Sequence, residues 1–336
     1  MVSRIGINGF GRIGRLVFRA IKARYPEKLE VVAVNDLFDS ATNAHLLKYD
    51  STYGPYAGSV VAKDGHLSVD GKTVTVSAER ELDKIKWGDM GVGIVIESTG
   101  LFTDANTSRG HITSGRAKKV IISAPGKNED ITIVLGVNDG MYDPAKHHVV
   151  SNASCTTNGL APVAKVLHDT FGIDRGLLTT VHAYTNSQKL VDLGAKDLRD
   201  ARGAAQNIVP SETGAARAVG LVIPELKGRF GGMAFRVPTP TVSVVDFTAI
   251  LNKEASKDDI RSAMLDYAHG SMKGILDVSD EPLVSSDLRG TTYSSVYSAL
   301  DTITVGNLVK VVAWYDNEWG YACRVADLAS VMSSRL

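Results

Sequence analysis

The amino-acid sequence predicts an α/β protein of two domains, the first with a doubly wound parallel sheet and the second an α+β domain with a mainly antiparallel sheet. With 336 residues the chain exceeds the usual size of one domain, so two compact units are expected. Short β-rich segments alternate with helix-like segments in the first half, whereas longer β-rich segments follow after Ser154. This change of pattern predicts a boundary between residues 154 and 155.

The first half carries the signature of a parallel sheet. Its β-rich segments are rich in Val and Ile without strict alternation of polar residues, which is typical of strands buried on both faces. These segments are residues 4–8, 31–35, 93–98, 119–123 and 131–137. A helix over residues 14–23 is predicted because its apolar residues recur at helical spacing. The order of strand, helix and strand indicates a doubly wound α/β domain.

The second half predicts an antiparallel sheet covered by a helix. Its long β-rich segments, residues 177–184, 234–251 and 305–315, include stretches with a period of two. Ser256 and Asp259 form a capping-box pattern before an amphipathic helix. Residues 185–206 are polar and show little periodicity, so we expect a long loop that serves a site or a subunit contact. The last segment has the apolar stripe of a helix.

Composition excludes several classes of function. Lys plus Arg and Asp plus Glu both number 37, so no overall basic field favours binding to nucleic acid or to an anionic membrane. No run of 18 apolar residues occurs, and the N-terminal segment shows no cleavable signal, so we expect a cytoplasmic protein or one that has lost an organellar transit peptide. Two cysteines, Cys155 and Cys323, are too few for a disulfide framework or a thiolate metal cluster, and no metal site is predicted.

A glycine-rich turn follows the first predicted strand. Residues 9–14 (Gly-Phe-Gly-Arg-Ile-Gly) match the pattern G-x-G-x-x-G between a strand and a helix. In a Rossmann-type domain Gly9 makes the turn, Gly11 lets the backbone approach a pyrophosphate and Gly14 packs the helix on the strand. Asp36 ends the next strand, where a carboxylate accepts hydrogen bonds from a ribose and repels a 2′-phosphate. NAD is therefore favoured over NADP; the alternative is an ordinary glycine turn with an incidental Asp.

Cys155 joins a β-rich segment to a predicted helix that continues over residues 160–168. The free N–H groups and the positive end of the helix dipole stabilise a thiolate there, so we expect a thiol pKa below the usual value of about 8.5. Ser154 and Thr156 add hydroxyl groups that can bind an anion. The alternative is a small buried apolar residue, which is the interpretation that we give to Cys323.

His182 is the candidate base for this thiol. It interrupts a β-rich segment, where a polar imidazole ring is unexpected unless it has a function. A histidine satisfied within the core is the alternative. His168 follows Cys155 by more than three helical turns and is too far along the helix to reach the thiol. His45 is predicted to be helical. The remaining histidines are expected at the surface; these are His66, His111, His147, His148 and His269.

Five segments together resemble the glyceraldehyde-3-phosphate dehydrogenase family. They are residues 8–14 (Asn-Gly-Phe-Gly-Arg-Ile-Gly), 153–158 (Ala-Ser-Cys-Thr-Thr-Asn), 180–185 (Thr-Val-His-Ala-Tyr-Thr), 234–240 (Ala-Phe-Arg-Val-Pro-Thr-Pro) and 314–321 (Trp-Tyr-Asp-Asn-Glu-Trp-Gly-Tyr). The resemblance extends over nearly the whole chain, and the segment around Cys155 is highly specific. It implies an NAD-dependent glycolytic oxidoreductase that converts glyceraldehyde 3-phosphate to 1,3-bisphosphoglycerate. In it Cys155 attacks the aldehyde, His182 takes the proton, and inorganic phosphate cleaves the resulting thioester.

The resemblance also assigns binding residues. Thr185, Arg199 and Arg236 surround the substrate phosphate, and a guanidinium suits that task because it donates two parallel hydrogen bonds. The attacking phosphate is assigned to Ser154, Thr156, Thr213 and Gly214. Cofactor contacts are assigned to Gly9, Phe10, Gly11, Arg12, Ile13, Gly14, Asp36, Arg80, Thr99, Gly100, Ser123, Asn317 and Tyr321.

The family further implies a homotetramer, in which a C-terminal helix over residues 319–336 completes an NAD-binding domain of residues 1–154. Residues 155–318 then form the catalytic domain. Two positions depart from the family pattern: Gly194 stands where relatives often carry Pro in a loop that helps to exclude NADP, and Asp200 follows Arg199 where some members have a second Arg. The first departure weakens the assignment of NAD, and the second affects the hold on the substrate phosphate.

Three alternative functions remain at this point. Erythrose-4-phosphate dehydrogenase shares the fold, the thiol and the histidine but hydrolyses its thioester; the hydroxyls of Ser154, Thr156 and Thr213 favour attack by phosphate instead. A non-catalytic NAD-binding sensor is disfavoured because both Cys155 and His182 are present. A nucleic-acid-binding role is disfavoured by the neutral charge and the lack of a run of basic residues.

Overall fold

The computed structural model describes residues 2–336, which divide into two compact units. The first unit comprises residues 2–133, 140–153 and 322–336, and the second comprises residues 134–139 and 154–321. No helix among the described residues is both long and apolar enough to cross a membrane.

The elements follow one another in chain order. The first part contains β1 (Ser3–Asn8), α1 (Arg12–Arg24), β2 (Leu29–Asn35), α2 (Ser40–Lys48), β3 (Val60–Lys63), β4 (His66–Val69), β5 (Lys72–Ser77), β6 (Ile94–Glu97), α3 (Ala105–Ser108), α4 (Gly110–Thr113), β7 (Lys119–Ile122), β8 (Ile131–Thr132) and β9 (Val149–Ser151). The second part contains α5 (Cys155–Phe171), β10 (Ile173–Ala183), β11 (Val209–Glu212), α6 (Ala215–Val222), β12 (Phe230–Val237), β13 (Ser243–Leu251), α7 (Lys257–His269), β14 (Leu276–Ser279), β15 (Ser295–Val305), β16 (Leu308–Tyr315) and α8 (Trp319–Ser333). Short 3₁₀ turns lie at Leu82–Lys84, Trp87–Met90, Asp139–Met141, Pro224–Leu226 and Ser285–Leu288.

The first unit is built on a nine-stranded sheet of order β3-β4-β5-β2-β1-β6-β7-β9-β8. Every neighbouring pair from β5 to β8 is parallel, and the central strands are buried on both faces, as the apolar segments predict. The doubly wound parallel sheet is thus confirmed. The strand order reverses between β1 and β6, where ligands of such sheets bind beyond the carboxyl ends of the strands.

Buried polar side chains join the carboxyl ends of the strands beside this reversal. Asn8 donates to Oε2 of Glu97 at 2.6 Å, and Asn35 donates to Oδ1 of Asn8 at 2.8 Å. Each of these residues ends its strand and is almost fully buried. Because buried polar groups are costly unless they are paired, these bonds fix where β1, β2 and β6 stop.

Two features of this unit differ from the sequence prediction. The antiparallel arm β3-β4-β5 was not predicted, although its two turns carry Asp64-Gly65 and Asp70-Gly71. All four residues have positive φ, the conformation that tight hairpin turns require and that this dipeptide favours. The strand predicted over residues 131–137 ends at Thr132 instead. Beyond it, Val134 donates to the side chain of Asn138 in a turn that belongs to the second unit.

The second unit is built on a seven-stranded sheet of order β11-β12-β10-β13-β16-β15-β14. Four of its six neighbouring pairs are antiparallel, and only β10 with β12 and β14 with β15 are parallel. The mainly antiparallel sheet is therefore confirmed, and β13 alternates buried with half-buried residues as its period of two predicts.

The helix and loop predictions for this half are also confirmed. The side chain of Ser256 accepts from the backbone of Asp259 and the reciprocal bond is present, so the predicted capping box opens α7. Residues 185–206 contain no helix and no extended strand. The segment predicted as one β-rich stretch over 234–251 forms two strands, because Pro238 and Pro240 interrupt the backbone hydrogen bonding between them.

Candidate active site

Each glycine of the turn after β1 is required, or tolerated, for a different local reason. Gly9 has a φ of 86°, and a Cβ there would lie 2.7 Å from the backbone of Thr99. A Cβ on Gly14 would lie 2.2 Å from the carbonyl oxygen of Gly9, so only glycine lets α1 pack this closely. At Gly11, by contrast, a Cβ would meet no atom within 4 Å. The open space beside Gly11 and the uncapped N-terminus of α1 fit the pyrophosphate of a dinucleotide.

Asp36 lies directly after β2 and is tied to this turn. Its Oδ2 accepts from the backbone N–H of Phe10 at 2.8 Å, and its Oδ1 accepts from the backbone of Phe38 at 3.0 Å. The half-buried carboxylate is thereby held beside the glycine turn, which is the position from which it could accept from a ribose.

A buried chain of hydrogen bonds lies at the carboxyl end of β6, beside the crevice between β1 and β6. Oε1 of Glu97 accepts from the backbone N–H of Thr99 at 2.8 Å and from its hydroxyl at 2.5 Å. Oε2 of Glu97 lies 3.0 Å from Nε2 of His111, and Nδ1 of His111 accepts from the indole of Trp87 at 2.9 Å. The indole can only donate, so the proton of His111 is on Nε2 and points to Glu97. The hydroxyl of Thr99 is thus already engaged within the unit.

The predicted surface position of His111 is therefore wrong, because this ring is fully buried. Glu97 and His111 were missed by sequence reasoning, and their only signal was a strand-end Glu before the Gly100 turn. The prediction for Cys323 is confirmed, since it is fully buried within α8. Of the other predicted cofactor residues in this unit, Arg12 forms an ion pair with Asp50 at 2.7 Å, and Arg80 is exposed.

The remaining predicted cofactor residues lie in both units. Ile13 is half-buried in the first turn of α1. Ser123 follows β7, and its backbone N–H donates to the backbone carbonyl oxygen of Glu97. Asn317 and Tyr321 belong to the second unit and are buried. Oδ1 of Asn317 accepts from the hydroxyl of Ser243 at 2.9 Å, which fixes the orientation of its amide group.

In the second unit, Cys155 is the first residue of α5. Ser154 caps this helix, because its hydroxyl accepts from the backbone N–H of Thr157 at 3.0 Å. Sγ of Cys155 lies 3.5 Å from Nε2 of His182, which lies near the end of β10. Strand β10 pairs with β12 so that His182 stands opposite Arg236. Two strands and a helix start therefore bring a thiol, an imidazole and a guanidinium together.

The protonation states of this pair differ from the prediction. Burial raises the pKa of the Cys155 thiol, although the charge of Arg236 and hydrogen bonds from Thr156 and the backbone act in the opposite direction. The expected lowering of the thiol pKa by the helix N-terminus is outweighed and was wrong in direction. Burial and the charge of Arg236 lower the pKa of His182 to about 3. Both shifts favour the neutral forms of the pair, a thiol and an uncharged imidazole, and an uncharged imidazole is the form that can accept a proton.

Tyr315 supports both partners and was missed by sequence reasoning, although it lies within the matching segment 314–321. Its hydroxyl lies 2.8 Å from the hydroxyls of Thr156 and Thr180, and its ring meets that of His182 edge to face at 6.0 Å. The ring also requires Gly159, because a Cβ there would lie 2.9 Å from it. Tyr315 therefore fixes the first turn of α5 relative to the imidazole.

The predicted phosphate-binding residues fall into two groups. Nη1 of Arg236 lies 2.6 Å from Nδ1 of His182, and the hydroxyl of Thr156 is bonded to Tyr315, so these residues belong to the thiol–imidazole cluster. Arg199 instead forms an ion pair with Asp197 at 2.8 Å, and Asp197, Glu212 and Asp200 together raise its pKa.

The other predicted phosphate ligands make local bonds. Thr185 bonds to the hydroxyl of Ser187 at 3.0 Å, and Thr213 accepts from the backbone of Ala215 at 3.2 Å. Gly214 precedes α6 and faces open space, since a Cβ there would meet no atom within 4 Å. This open helix start has the backbone donors that a phosphate needs.

A dinucleotide-type sheet in one unit and a cysteine–histidine pair in the other define the class of thiol-dependent dehydrogenases. Two family models match the chain: the NAD-binding domain of glyceraldehyde 3-phosphate dehydrogenase over residues 3–105, and its C-terminal domain over residues 154–317. The chain belongs to the glyceraldehyde-3-phosphate dehydrogenase family. NAD is the cofactor of this family's N-terminal domain.

Relatives named for this activity match over the full length. The glyceraldehyde-3-phosphate dehydrogenase of Geobacillus stearothermophilus is 58% identical over 336 residues, which cover 100% of this chain and 99% of the relative. Glyceraldehyde-3-phosphate dehydrogenase 1 of Bacillus subtilis (strain 168) is 56% identical over 100% of this chain and 99% of its own length. Glyceraldehyde-3-phosphate dehydrogenase 2 of Streptomyces arenae is also 56% identical, over 100% of both chains.

Proposed function

We propose that this enzyme oxidises glyceraldehyde 3-phosphate with NAD and inorganic phosphate to 1,3-bisphosphoglycerate, as a step of glycolysis or gluconeogenesis. The observation that carries the proposal is the distance of 3.5 Å between Sγ of Cys155 and Nε2 of His182, in a chain of this family. None of the three relatives described above is named as an erythrose-4-phosphate dehydrogenase. The predicted cytoplasmic location stays a prediction.

The reaction begins at the thiol. Sulfur of Cys155 attacks the aldehyde carbon while its proton passes to Nε2 of His182, and the carbonyl electron pair moves to oxygen. The protonated imidazole then stabilises the oxyanion of the hemithioacetal. NAD, when bound, supplies the acceptor for the hydride that leaves this carbon. The thioester that remains on Cys155 is attacked by inorganic phosphate, which releases the acyl phosphate and the free thiol.

The cofactor is assigned to the first unit and to two residues of the second. The glycine turn with the uncapped start of α1 would hold the pyrophosphate, and Asp36 the adenosine ribose. Because the backbone N–H and the hydroxyl of Thr99 are both bonded to Glu97, we assign its contact to the backbone carbonyl oxygen. The full proposed set is Gly9, Phe10, Gly11, Arg12, Ile13, Gly14, Asp36, Arg80, Thr99, Gly100, Ser123, Asn317 and Tyr321. Residues 1–154 with 319–336 are the proposed cofactor domain, and residues 155–318 the catalytic domain.

Two anion pockets complete the proposal. Thr185, Arg199 and Arg236 hold the substrate phosphate, and Ser154, Thr156, Thr213 and Gly214 hold the attacking phosphate. Arg199 must exchange its ion pair with Asp197 for the phosphate, and this exposed pair is weak because water screens the two charges. The exchange is therefore energetically accessible.

A homotetramer is supported by large apolar side chains exposed on strands of the second unit. These are Leu177, Met233, Leu300, Ile303 and Val305. Where such side chains lie next to one another on a sheet, they are typical of a contact between protein chains. Light scattering after size-exclusion chromatography should give four times the chain mass of 35.9 kDa, and a monomeric mass would contradict the proposal.

The activity itself is tested by NADH formation from glyceraldehyde 3-phosphate and NAD. The rate should require phosphate, and arsenate should replace it because it attacks the same thioester. A rate that depends on neither anion would indicate hydrolysis and would contradict the proposal. Erythrose 4-phosphate, assayed in parallel, should be the poorer substrate.

A further inference from the structure

Five buried polar side chains form one line of hydrogen bonds along the carboxyl edge of the parallel sheet. None is more than 4% exposed, and none is among the residues assigned to the cofactor. The line connects the ends of β2, β1 and β6 with α4, at the edge where ligands of such sheets bind. Buried polar groups are costly, so a line of five at this edge indicates a function. Its members are Asn35, Asn8, Glu97, His111 and Trp87.

The direction of the bonds is fixed at the β2 end by backbone groups. Oδ1 of Asn35 accepts from the backbone N–H of Glu79 at 2.8 Å, and Nδ2 of Asn35 donates to the carbonyl oxygen of Glu79 at 2.8 Å. The Asn35 amide therefore cannot be reversed. Its Nδ2 also donates to Oδ1 of Asn8, so Nδ2 of Asn8 is the group that donates to Glu97.

The direction is fixed from the other end by Trp87. The indole can only donate, so His111 accepts at Nδ1 and donates from Nε2 to Oε2 of Glu97. Oε1 of Glu97 accepts from the backbone N–H of Thr99 at 2.8 Å and lies 2.5 Å from its hydroxyl. The donors from Asn8, His111 and Thr99 are all uncharged, and an ionised carboxylate has an acceptor for each of them. Glu97 is thus the acceptor at which both arms of the line end.

These bonds hold the backbone on both sides of the crevice. Asn8 directly precedes Gly9 of the glycine turn, and Thr99 lies in the turn after β6. The hydroxyl of Ser98 adds a direct bond between the two turns, because it donates to the carbonyl oxygen of Gly9 at 2.7 Å. Glu97 itself is 2% exposed, so it can act on a ligand only through these neighbours.

We propose that Glu97 is a positioning residue for NAD, because its carboxylate holds the glycine turn and the Thr99 turn in their binding geometry before the cofactor arrives. The role rests on the proposed function, in which both turns contact NAD. A site that is ordered in advance loses less binding free energy to ordering. The effect of Glu97 should therefore appear in the affinity for NAD, whereas the chemical step depends on the second unit.

Glu97→Gln tests this role, since the two side chains have the same shape but the amide replaces one acceptor oxygen with a donor. The new N–H groups would face the donors of either Asn8 and His111 or Thr99. The Kd for NAD, measured by calorimetry, should rise about tenfold. KM for NAD should rise with it, whereas kcat at saturating NAD should fall by less than about twofold. An unchanged Kd, or a lower kcat with an unchanged KM, would overturn the proposal.

Glu30→Gln is the matched control. Glu30 lies on β2 of the same sheet near the opposite edge, and it pairs with Lys72 at 2.8 Å on the surface. This variant should bind NAD as the wild type does. If Glu30→Gln weakened NAD binding as much as Glu97→Gln, the effect would not belong to the line of buried bonds and the proposal would be wrong.

An exchange of the two side chains separates positioning from a general loss of structure. Asn8→Asp combined with Glu97→Gln keeps one carboxylate and one amide, so the new amide can donate to the new carboxylate. The double variant should bind NAD about threefold more tightly than Glu97→Gln, with part of the loss remaining because His111 still faces an amide N–H. Asn8→Asp alone should bind more weakly than the double variant, because two carboxylates would meet. Losses that simply add would overturn the proposal.

Hydrogen exchange of the wild-type protein tests the same idea without a variant. In the ligand-free chain the backbone N–H groups of Ser98, Thr99 and Leu101 are all bonded. A peptide that covers residues 98–101 should therefore be protected before NAD is added. Exchange that is complete within seconds, with protection only after NAD binds, would overturn the proposal even if Glu97→Gln does not fold.

The two hypotheses fail in different ways. If the wild type neither binds NAD nor forms NADH from glyceraldehyde 3-phosphate and phosphate, the proposed function is wrong. If the wild type does both and Glu97→Gln binds NAD equally tightly, only the positioning role of Glu97 is wrong.

Discussion

The two units build their sites from different parts of the chain. In the first unit the candidate cofactor crevice is made mainly of backbone: three glycines, an uncapped helix start and strand ends fixed by Asn8 and Glu97. In the second unit the thiol site is made of side chains from α5, β10, β12 and β16, at distances of 2.6–3.5 Å. The first site therefore depends on the absence of side chains at the glycine turn, whereas the second depends on the identity of its side chains.

The largest expected effect concerns the identity of the nucleophile. Cys155→Ser should reduce NADH formation by about 10⁴-fold or more, because an alcohol is far less acidic and less nucleophilic than a thiol. NAD affinity, measured by calorimetry, should be unchanged since the crevice of the first unit is intact. A variant that retains a rate within about tenfold of the wild type would show that the thiol is not the nucleophile.

The base is expected to contribute the next largest effect. His182→Asn should reduce kcat by about 10²- to 10⁴-fold, because no group then accepts the thiol proton. KM for NAD should change little. If kcat stays near the wild-type value, the contact of 3.5 Å between Nε2 and Sγ has no catalytic role.

The same ring makes stability depend on pH. The folded-state pKa of His182 is lowered from 6.5 to about 3, so between these values the unfolded chain binds a proton that the folded chain does not. The stabilising contribution is complete above pH 6.5 and declines as the pH falls toward 3. Urea unfolding at about pH 7 and about pH 4.5 should therefore show a smaller pH-dependent loss for His182→Asn than for the wild type. If both proteins lost the same stability between the two pH values, the proton bound on unfolding would belong to a group other than His182.

The difference between the units also explains what the sequence could predict. The glycine turn, the strand before it and the helix after it are contiguous, so the pattern of residues 4–24 defines that part of the crevice without any distant contact. The capping box of α7 is local in the same way. The missed arm β3-β4-β5 was also local, and its two Asp-Gly turns were an available signal.

The thiol site could be predicted only in part because its contacts are distant in sequence. The helix start at Cys155 was visible, but the register that sets His182 beside Arg236 joins strands 54 residues apart. Tyr315 meets Thr156 across 159 residues, and no periodicity reports such a contact. The predicted direction of the pKa shift of the Cys155 thiol was wrong for the same reason. The helix start is visible in the sequence, whereas the burial of the thiol depends on how the whole unit packs.

A matched pair of glycine substitutions sharpens the description of the first unit. Gly14→Ala should destabilise the fold by about 1–3 kcal/mol, because its Cβ would lie 2.2 Å from the carbonyl oxygen of Gly9. Gly11→Ala should cost less than about 1 kcal/mol of stability, since its Cβ faces open space. The same Cβ should weaken NAD binding by about tenfold or more, or ~1.4 kcal/mol. Urea unfolding measures the change in stability, and calorimetry measures the change in NAD affinity. An unchanged NAD affinity in Gly11→Ala would show that the pyrophosphate does not bind at this turn.

The smallest expected effect concerns the choice between NAD and NADP. Asp36→Asn removes the charge that would repel a 2′-phosphate but keeps an oxygen that can accept from one of the two backbone N–H groups that Asp36 now binds. Repulsion between unit charges about 4 Å apart amounts to roughly 1–4 kcal/mol near a protein surface, so the ratio of kcat/KM for NADP over NAD should rise about tenfold or more. Asp36→Ala loses both backbone bonds as well, so it should raise the ratio and also weaken NAD binding. An unchanged ratio in Asp36→Asn would mean that the carboxylate holds the turn and that another part of the crevice excludes NADP.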